Sequence, residues 1–163
     1  MTLLTGTRHP DISLRTATLD DAETIAGHRR SMFFDMGHRD EEQLNAMITA
    51  FGPWLREKMT SGEYLAWMAT GGDGAIVAGL GMWLMDWPPH LSGPGSRRGN
   101  ILNVYTVPSF RRQGIARRLM EVALDWCRTN GIRNVILQGS DEGRPLYERL
   151  GFEPTNEMRL MIG

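Results

Sequence analysis

The chain holds a single cysteine, Cys127, so no internal disulfide can form. It holds no apolar run long enough to span a bilayer, and its first ten residues lack the basic start and long apolar stretch of a signal peptide. These absences lead to the expectation of a cytoplasmic protein with no membrane partner. Net charge is nearly absent too, at −1 with a pI of about 6.4, which argues against a nucleic-acid partner because such domains carry a strongly basic footprint. His9, His28, His38 and His90 stand far apart, with no i, i+4 pair and no Cys or Asp partner at ligand spacing, so no metal is predicted. There is no internal repeat and no low-complexity tract. The 163 residues therefore read as one domain over 1–163, a size that hides about 68–70% of the unfolded surface.

What is present is a regular alternation of strand and helix patterns. Residues 12–18 alternate with period two and read as a strand, and Thr18 with Asp21 three residues on resembles a capping box that opens a helix. Ala22, Ile25, Ala26, Arg29, Met32 and Phe33 return to one face of that helix, and Gly37 stops it. Asp40 caps a second helix with Leu44, Met47, Ile48, Phe51 and Leu55 at helical spacing. Pro53 has no N–H to donate, so this helix is predicted to fall into two pieces near Gly52. Residues 63–70 and 75–86 are strand-like and joined by Gly71-Gly72-Asp73-Gly74, a hairpin turn composition.

A loop rich in Pro and Gly over residues 88–98 leads to a strand over 101–107, closed by Pro108, which cannot donate to a ladder. Ala116, Leu119, Met120, Ala123 and Cys127 then fall at helical spacing from Gly114 onward, and Asn130-Gly131 ends the helix. Cys127 lies on that apolar stripe and reads as a small buried hydrophobe, not a nucleophile. A strand over 134–138, a short helix over 141–150 and a final strand over 158–162 complete the order βααβββαβαβ. This is a mixed α/β (α+β) arrangement.

The junction of residues 111–116 sits where the N–H groups of a new helix have no partners, and Gly114 leaves room for a ligand to approach the main chain. Such a place suits a phosphate. Charge agrees: residues 1–96 carry seven Arg and Lys against twelve Asp and Glu, while residues 97–163 carry eleven against seven. A polyphosphate is drawn to the second half and a cationic amine to the first. The Met- and Trp-rich stretches 32–36 and 82–87 are candidates to line an apolar pocket.

Arg111-Arg112-Gln113-Gly114-Ile115-Ala116 resembles the Arg/Gln-x-x-Gly-x-Gly/Ala signature of the GNAT acyl-CoA-dependent N-acetyltransferase superfamily. Leu146-Tyr147 with Gly151-Phe152 resembles that family's Leu-Tyr-x-x-x-Gly-Phe motif, in the right order and spacing. The resemblance implies a central, mostly antiparallel sheet flanked by helices and acetyl-CoA as acyl donor. It implies that pyrophosphate rests on the N–H groups of Arg112, Gln113, Gly114, Ile115, Ala116 and Arg117, with Arg111, Arg112 and Arg117 side chains as phosphate partners. The pantetheine arm would pair with Tyr105, Thr106 and Val107, a freed N–H near Val107 polarising the thioester carbonyl. Tyr147 would be the general acid toward the leaving thiolate.

Two positions depart from the family pattern. Ser140 stands where many relatives carry an asparagine on the cofactor arm, and Asn103 stands in the strand where some carry a basic Glu or His. A base is thus to be sought elsewhere, in His28 or Asp35, in a water chain, or in an amine that arrives neutral. Phe34, Asp35, Trp83 and Asn103 are the substrate-side candidates. The expected reaction is transfer of acetyl from acetyl-CoA to a primary amine of a small molecule or peptide. The alternatives are an acyl-CoA-binding sensor or interaction module without catalysis, and a toxin acetylating aminoacyl-tRNA. The family resemblance also suggests a homodimer through the final strands.

Overall fold

The structure, a computed structural model, describes residues 11–91 and 94–163, so His9 and part of the 88–98 loop lie outside the described residues. Strands β1 (Ser13–Thr16), β2 (Tyr64–Thr70), β3 (Ile76–Asp86), β4 (Arg97–Thr106) and β5 (Val135–Leu137) lie side by side in sequence order. The first four are antiparallel, and β5 runs parallel to β4. A parallel neighbour needs a crossover, which α3 (Ile115–Thr129) supplies. Helices α1 (Ala22–Asp35) and α2 (Glu41–Thr60) connect β1 to β2, and α4 (Arg144–Arg149) follows β5. The expected mixed, mostly antiparallel sheet flanked by helices is present.

Alternation along β2 explains the two layers. Trp67 and Ala69 join Leu119, Met120 and Ala123 of α3 in one core, while Tyr64, Ala66 and Met68 join Ile25, Phe51 and Leu55 of α1 and α2 in the other. Strands covered on both faces read as apolar runs, as Ile76–Asp86 does. The β3–β4 ladder holds register from Asp86↔Arg97 to Gly81↔Leu102, then resumes at Gly79↔Tyr105. One residue of β3 thus faces Asn103 and Val104 of β4, a bulge at which Asn103 takes φ 55°.

Four boundaries differ from the sequence expectation. Helix α2 is unbroken through Pro53, because Leu44, Phe51 and Leu55 on both sides of it are buried on one face and packing holds the helix together. Strand β4 begins at Arg97 because β3 is long enough to pair it, and Arg98 lies over the Trp87 ring. Helix α1 begins at Ala22 after a 3-10 turn over Leu19–Asp21, with the Thr18 N–H donating to Asp21 Oδ2 at 2.8 Å as a capping box requires. Residues 158–162 form no strand: Met158, Leu160, Met161 and Ile162 are 78–94% exposed, and no described residue gives them a ladder or an apolar surface.

Candidate active site

Beyond β4, residues Pro108–Phe110 make a 3-10 turn and the chain then enters α3 through two left-handed residues, Arg112 at φ 60° and Gly114 at φ 78°. Among the described residues none accepts a hydrogen bond from the N–H groups of residues 112–117. The first paired donor is Arg118, to the Gly114 carbonyl at 3.2 Å. Such a curl of free donors at the positive end of a helix is an anion nest. A Cβ on Gly114 would meet nothing within 4 Å, so its backbone angle, not crowding, requires glycine there. Ile115 is buried in the α3 core and can offer only its backbone. Arg112 is exposed, and Arg117 is paired with Glu121 at 2.9 Å on the surface. Gln113 has Oε1 enclosed without a donor.

Arg111 does something other than expected. Its Nε donates to the Thr106 carbonyl at 2.9 Å and its Nη2 to Asp35 Oδ2 at 2.6 Å, and the Asp35 carboxylate raises its pKa. The side chain clips the end of α1 to the end of β4, so neither Arg111 as a phosphate partner nor Asp35 as a base is free.

The donor expected near Val107 is not the N–H of Val107 itself, which donates to the Val77 carbonyl at 2.9 Å. Backbone groups alternate along a strand, so Thr106, whose carbonyl is held by Arg111, turns to the other edge. β5 pairs with β4 only from Gly99 to Ile101, which leaves that edge open beside residues 102–106. An open edge of this kind accepts an extended ligand as an added strand.

Tyr147 stands on α4 with its ring against the backbone of the preceding loop: a Cβ on Gly143 would come within 2.8 Å of it, and one on Gly139 within 3.2 Å. Phe152 meets it edge-on at 6.1 Å. Burial raises its pKa, so the phenol stays protonated through the neutral range. Ser140 accepts the Gly143 N–H at 3.2 Å, which ties its oxygen to the start of α4 and leaves its O–H to donate.

At the bulge, Asn103 is 3% exposed and committed at both ends of its amide. Its Oδ1 accepts from Arg29 Nη1 at 2.8 Å, and its Nδ2 donates to the Tyr64 hydroxyl at 2.8 Å. The acceptor-only nature of that oxygen is fixed by Arg29, which has nothing but donors. Gly81 makes the arrangement possible, since a Cβ there would sit 1.9 Å from the Tyr64 hydroxyl. Burial raises the Tyr64 pKa. His28, on the neighbouring turn of α1, is 8% exposed, lies 5.0 Å from the Tyr105 ring, and is held neutral by burial.

Trp83 joins an aromatic group with Trp54, at 5.4 Å, and through it Tyr64 and Phe51. Phe34 does not join it: the ring is 36% exposed and lies under the Arg39 guanidinium at 3.7 Å. Phe33 is the residue of that pair that turns inward, beneath Arg29 at 5.0 Å. Arg29 and Tyr64 were not among the sequence candidates, and Phe33 was one only as part of the stretch 32–36. A cation on the apolar stripe of α1 was the available signal. Cys127 is 2% exposed and burial pushes its thiol up to about 11.

Among the described residues no three His, Cys, Asp or Glu side chains converge to hold a metal, and no helix is long and apolar enough to cross a membrane. A family model described as Acetyltransferase (GNAT) family matches residues 22–152. A GCN5-related N-acetyltransferase from Ralstonia eutropha is 39% identical, with a TM-score of 0.87 over 93% of this chain and 98% of that one. An acetyltransferase from Clostridium acetobutylicum, solved with acetyl-CoA, is 24% identical, with a TM-score of 0.83 over 93% and 96%. A glucosamine 6-phosphate N-acetyltransferase from Trypanosoma brucei brucei is 32% identical over 88 residues, 53% of this chain and 58% of that protein. The chain therefore spans little more than half the length of that curated relative.

Proposed function

The chain belongs to the acetyltransferase (GNAT) family, and on that premise we propose that it transfers an acetyl group from acetyl-CoA to a primary amine of a small molecule or peptide. Attack is direct, in a ternary complex, since the one thiol is buried and raised too far to carry an acyl group. The observation that carries this reading is the run of unpaired N–H groups over residues 112–117 beside the open edge of β4. The residues fit the donor: the nest takes the pyrophosphate, and the β4 edge takes the extended arm. Acetyl-CoA supplies the activated thioester.

Of the N–H groups near Val107, that of Thr106 is the donor to the thioester carbonyl. A fixed N–H aimed where negative charge grows stabilises the transition state more than the ground state. Tyr147 acts on the sulfur side. Moving a proton from a tyrosine near pKa 10 to a thiolate near 8.5 costs about 2 kcal/mol, and a raised tyrosine pKa enlarges that figure. Tyr147 therefore serves as a hydrogen-bond donor to the departing sulfur more than as a full proton source. Of the two side-chain candidates for the base, Asp35 is held by Arg111, and His28, neutral beside Tyr105 at the bulge, remains to take the proton from the amine.

Calorimetric titration with acetyl-CoA tests the reading. The native chain binds it, and Gly114→Glu, which sets a carboxylate in the nest, lowers affinity about 100-fold or more. Amines then screened by thiol release give turnover. A native chain that does not bind acetyl-CoA overturns the reading, and binding without turnover of any amine leaves the non-catalytic sensor.

A further inference from the structure

We infer that Arg29 is a receptor for an oxyanion on the acceptor, so that the amine acetylated here belongs to a molecule also carrying a carboxylate or phosphate. The inference rests on the acetyltransferase reading and adds the substrate class to it. Arg15, Arg30, Arg111, Arg117, Arg128 and Arg144 each pair with an acid. Arg29 does not, although it is half-buried and burial lowers its pKa. Its hydrogen-bond partner among the described residues is the neutral Asn103 amide. Its Nε is enclosed with no acceptor at all.

Phe33 and Phe51 flank the guanidinium, their ring centroids 5.0 and 4.8 Å from Cζ. Ring faces ease the burial of a cation but accept nothing from an in-plane N–H. An enclosed N–H left without an acceptor costs the fold an unmade hydrogen bond. Arg98 shares the enclosed Nε, yet it lies flat on Trp87 near the start of β4, away from the bulge. Arg29 is instead bonded to the bulge residue itself, next in sequence to His28, which faces Tyr105. Nη2, with no partner among the described residues and not enclosed, is the part of the guanidinium that a carboxylate or phosphate can reach. An acceptor so held presents its amine toward the open end of β4.

The test compares matched amines: an amino acid against its amide, and a hexosamine against its 6-phosphate. Their kcat/KM values are measured in the native chain, Arg29→Gln and Arg29→Lys. The anionic member of at least one pair is preferred about 30-fold, and the two pairs tell carboxylate from phosphate. Arg29→Gln lowers kcat/KM for that member about 100-fold and for its neutral partner by less than about 3-fold. Arg29→Lys recovers part of the loss. With coenzyme A saturating the nest, inorganic phosphate or acetate raises the thermal midpoint of the native chain but not of Arg29→Gln. Turnover with no anionic preference, or an equal fall for both members, overturns the inference and leaves the acetyltransferase reading intact. Failure of acetyl-CoA binding instead removes that reading, and the substrate class with it.

Discussion

The two flanks of β4 are built in opposite ways. On the donor flank, ten or so consecutive residues supply the turn, the left-handed kinks at Arg112 and Gly114 and the free N–H groups. On the acceptor flank, Arg29 reaches Asn103 across 74 positions, and Asn103 reaches Tyr64 across 39. A site made of backbone donors needs only local geometry, which a short string of residues can specify. A site made of side chains needs a sheet and two helices to be in place first. The first kind can be shared by every protein that uses one donor, and the second can change with the acceptor.

Glycine shows the contrast most sharply, because it serves each flank for a different reason. At Gly81 a Cβ would lie 1.9 Å from the Tyr64 hydroxyl and 2.5 Å from Cζ, and Tyr64 is 2% exposed with nowhere to go. At Gly114 a Cβ meets open space, and only the φ of 78° is unfavourable. Gly81→Ala should therefore destabilise the chain by about 3 kcal/mol or more, as overpacking in a close-packed core does. Gly114→Ala should lose about 1–2 kcal/mol from left-handed strain. Chemical denaturation of both variants measures the difference. Adding Tyr64→Phe to Gly81→Ala recovers only part of the loss, since Cζ stays in the way. Native stability in Gly81→Ala would dismantle the Tyr64–Asn103–Arg29 chain as described.

A smaller effect probes the sulfur end of the donor flank. Tyr147→Phe keeps the ring, its contacts with Gly139 and Gly143, and its edge-on meeting with Phe152. It removes only the hydroxyl. kcat should fall about 10- to 100-fold while the acetyl-CoA Kd from calorimetry stays within about 2-fold. A fall in both would mean that Tyr147 holds the cofactor arm, and an unchanged kcat would take it out of the chemistry.

How much of this was legible in the sequence follows from the same contrast. The β4–turn–α3 segment and the place of Tyr147 on a short helix were readable because residue type, order and spacing carry them. The strand pattern at residues 158–162 was misleading, since alternation shows what could be half-buried but not what covers it. Pro53 misled in the other direction, because helix propensity is a local preference and the packing of Phe51 and Leu55 overrides it. The donor could be read only as lying near Val107, for the side of a strand to which an N–H turns depends on its ladder partner, which for Val107 is Val77. The helical stripe put Phe33 on the face of Arg29, as the structure has it, yet Phe34 was taken as the substrate contact. Arg29 stood in plain view on an apolar stripe, but its missing acid partner exists only in three dimensions.

The smallest expected effect concerns His28, and it joins stability to the acceptor flank. Burial lowers the native pKa of His28 from 6.5, while the unfolded chain keeps the ordinary value. Between the ordinary value and the lowered one, the unfolded chain binds the extra proton, so stability rises with pH and is lost on acidification. The window opens near pH 6.5 and extends downward until the native imidazole itself protonates. Asp21 acts lower on the scale: the Arg15 hydrogen bonds hold its pKa below 3.8, so its contribution is present above that value and lost as pH falls through the native one. Urea midpoints measured from pH 8 to 3 should fall in two separate stages, the first with a slope of at most about 1.4 kcal/mol per pH unit for one proton. His28→Gln should abolish the first stage and leave the second. If His28 also takes the proton from the amine, the variant loses kcat at pH 7.5, where the native imidazole is neutral and makes no pH-dependent contribution to stability. Loss of the first stage with kcat unchanged would keep the imidazole as packing against Tyr105 and pass the proton to water at the bulge.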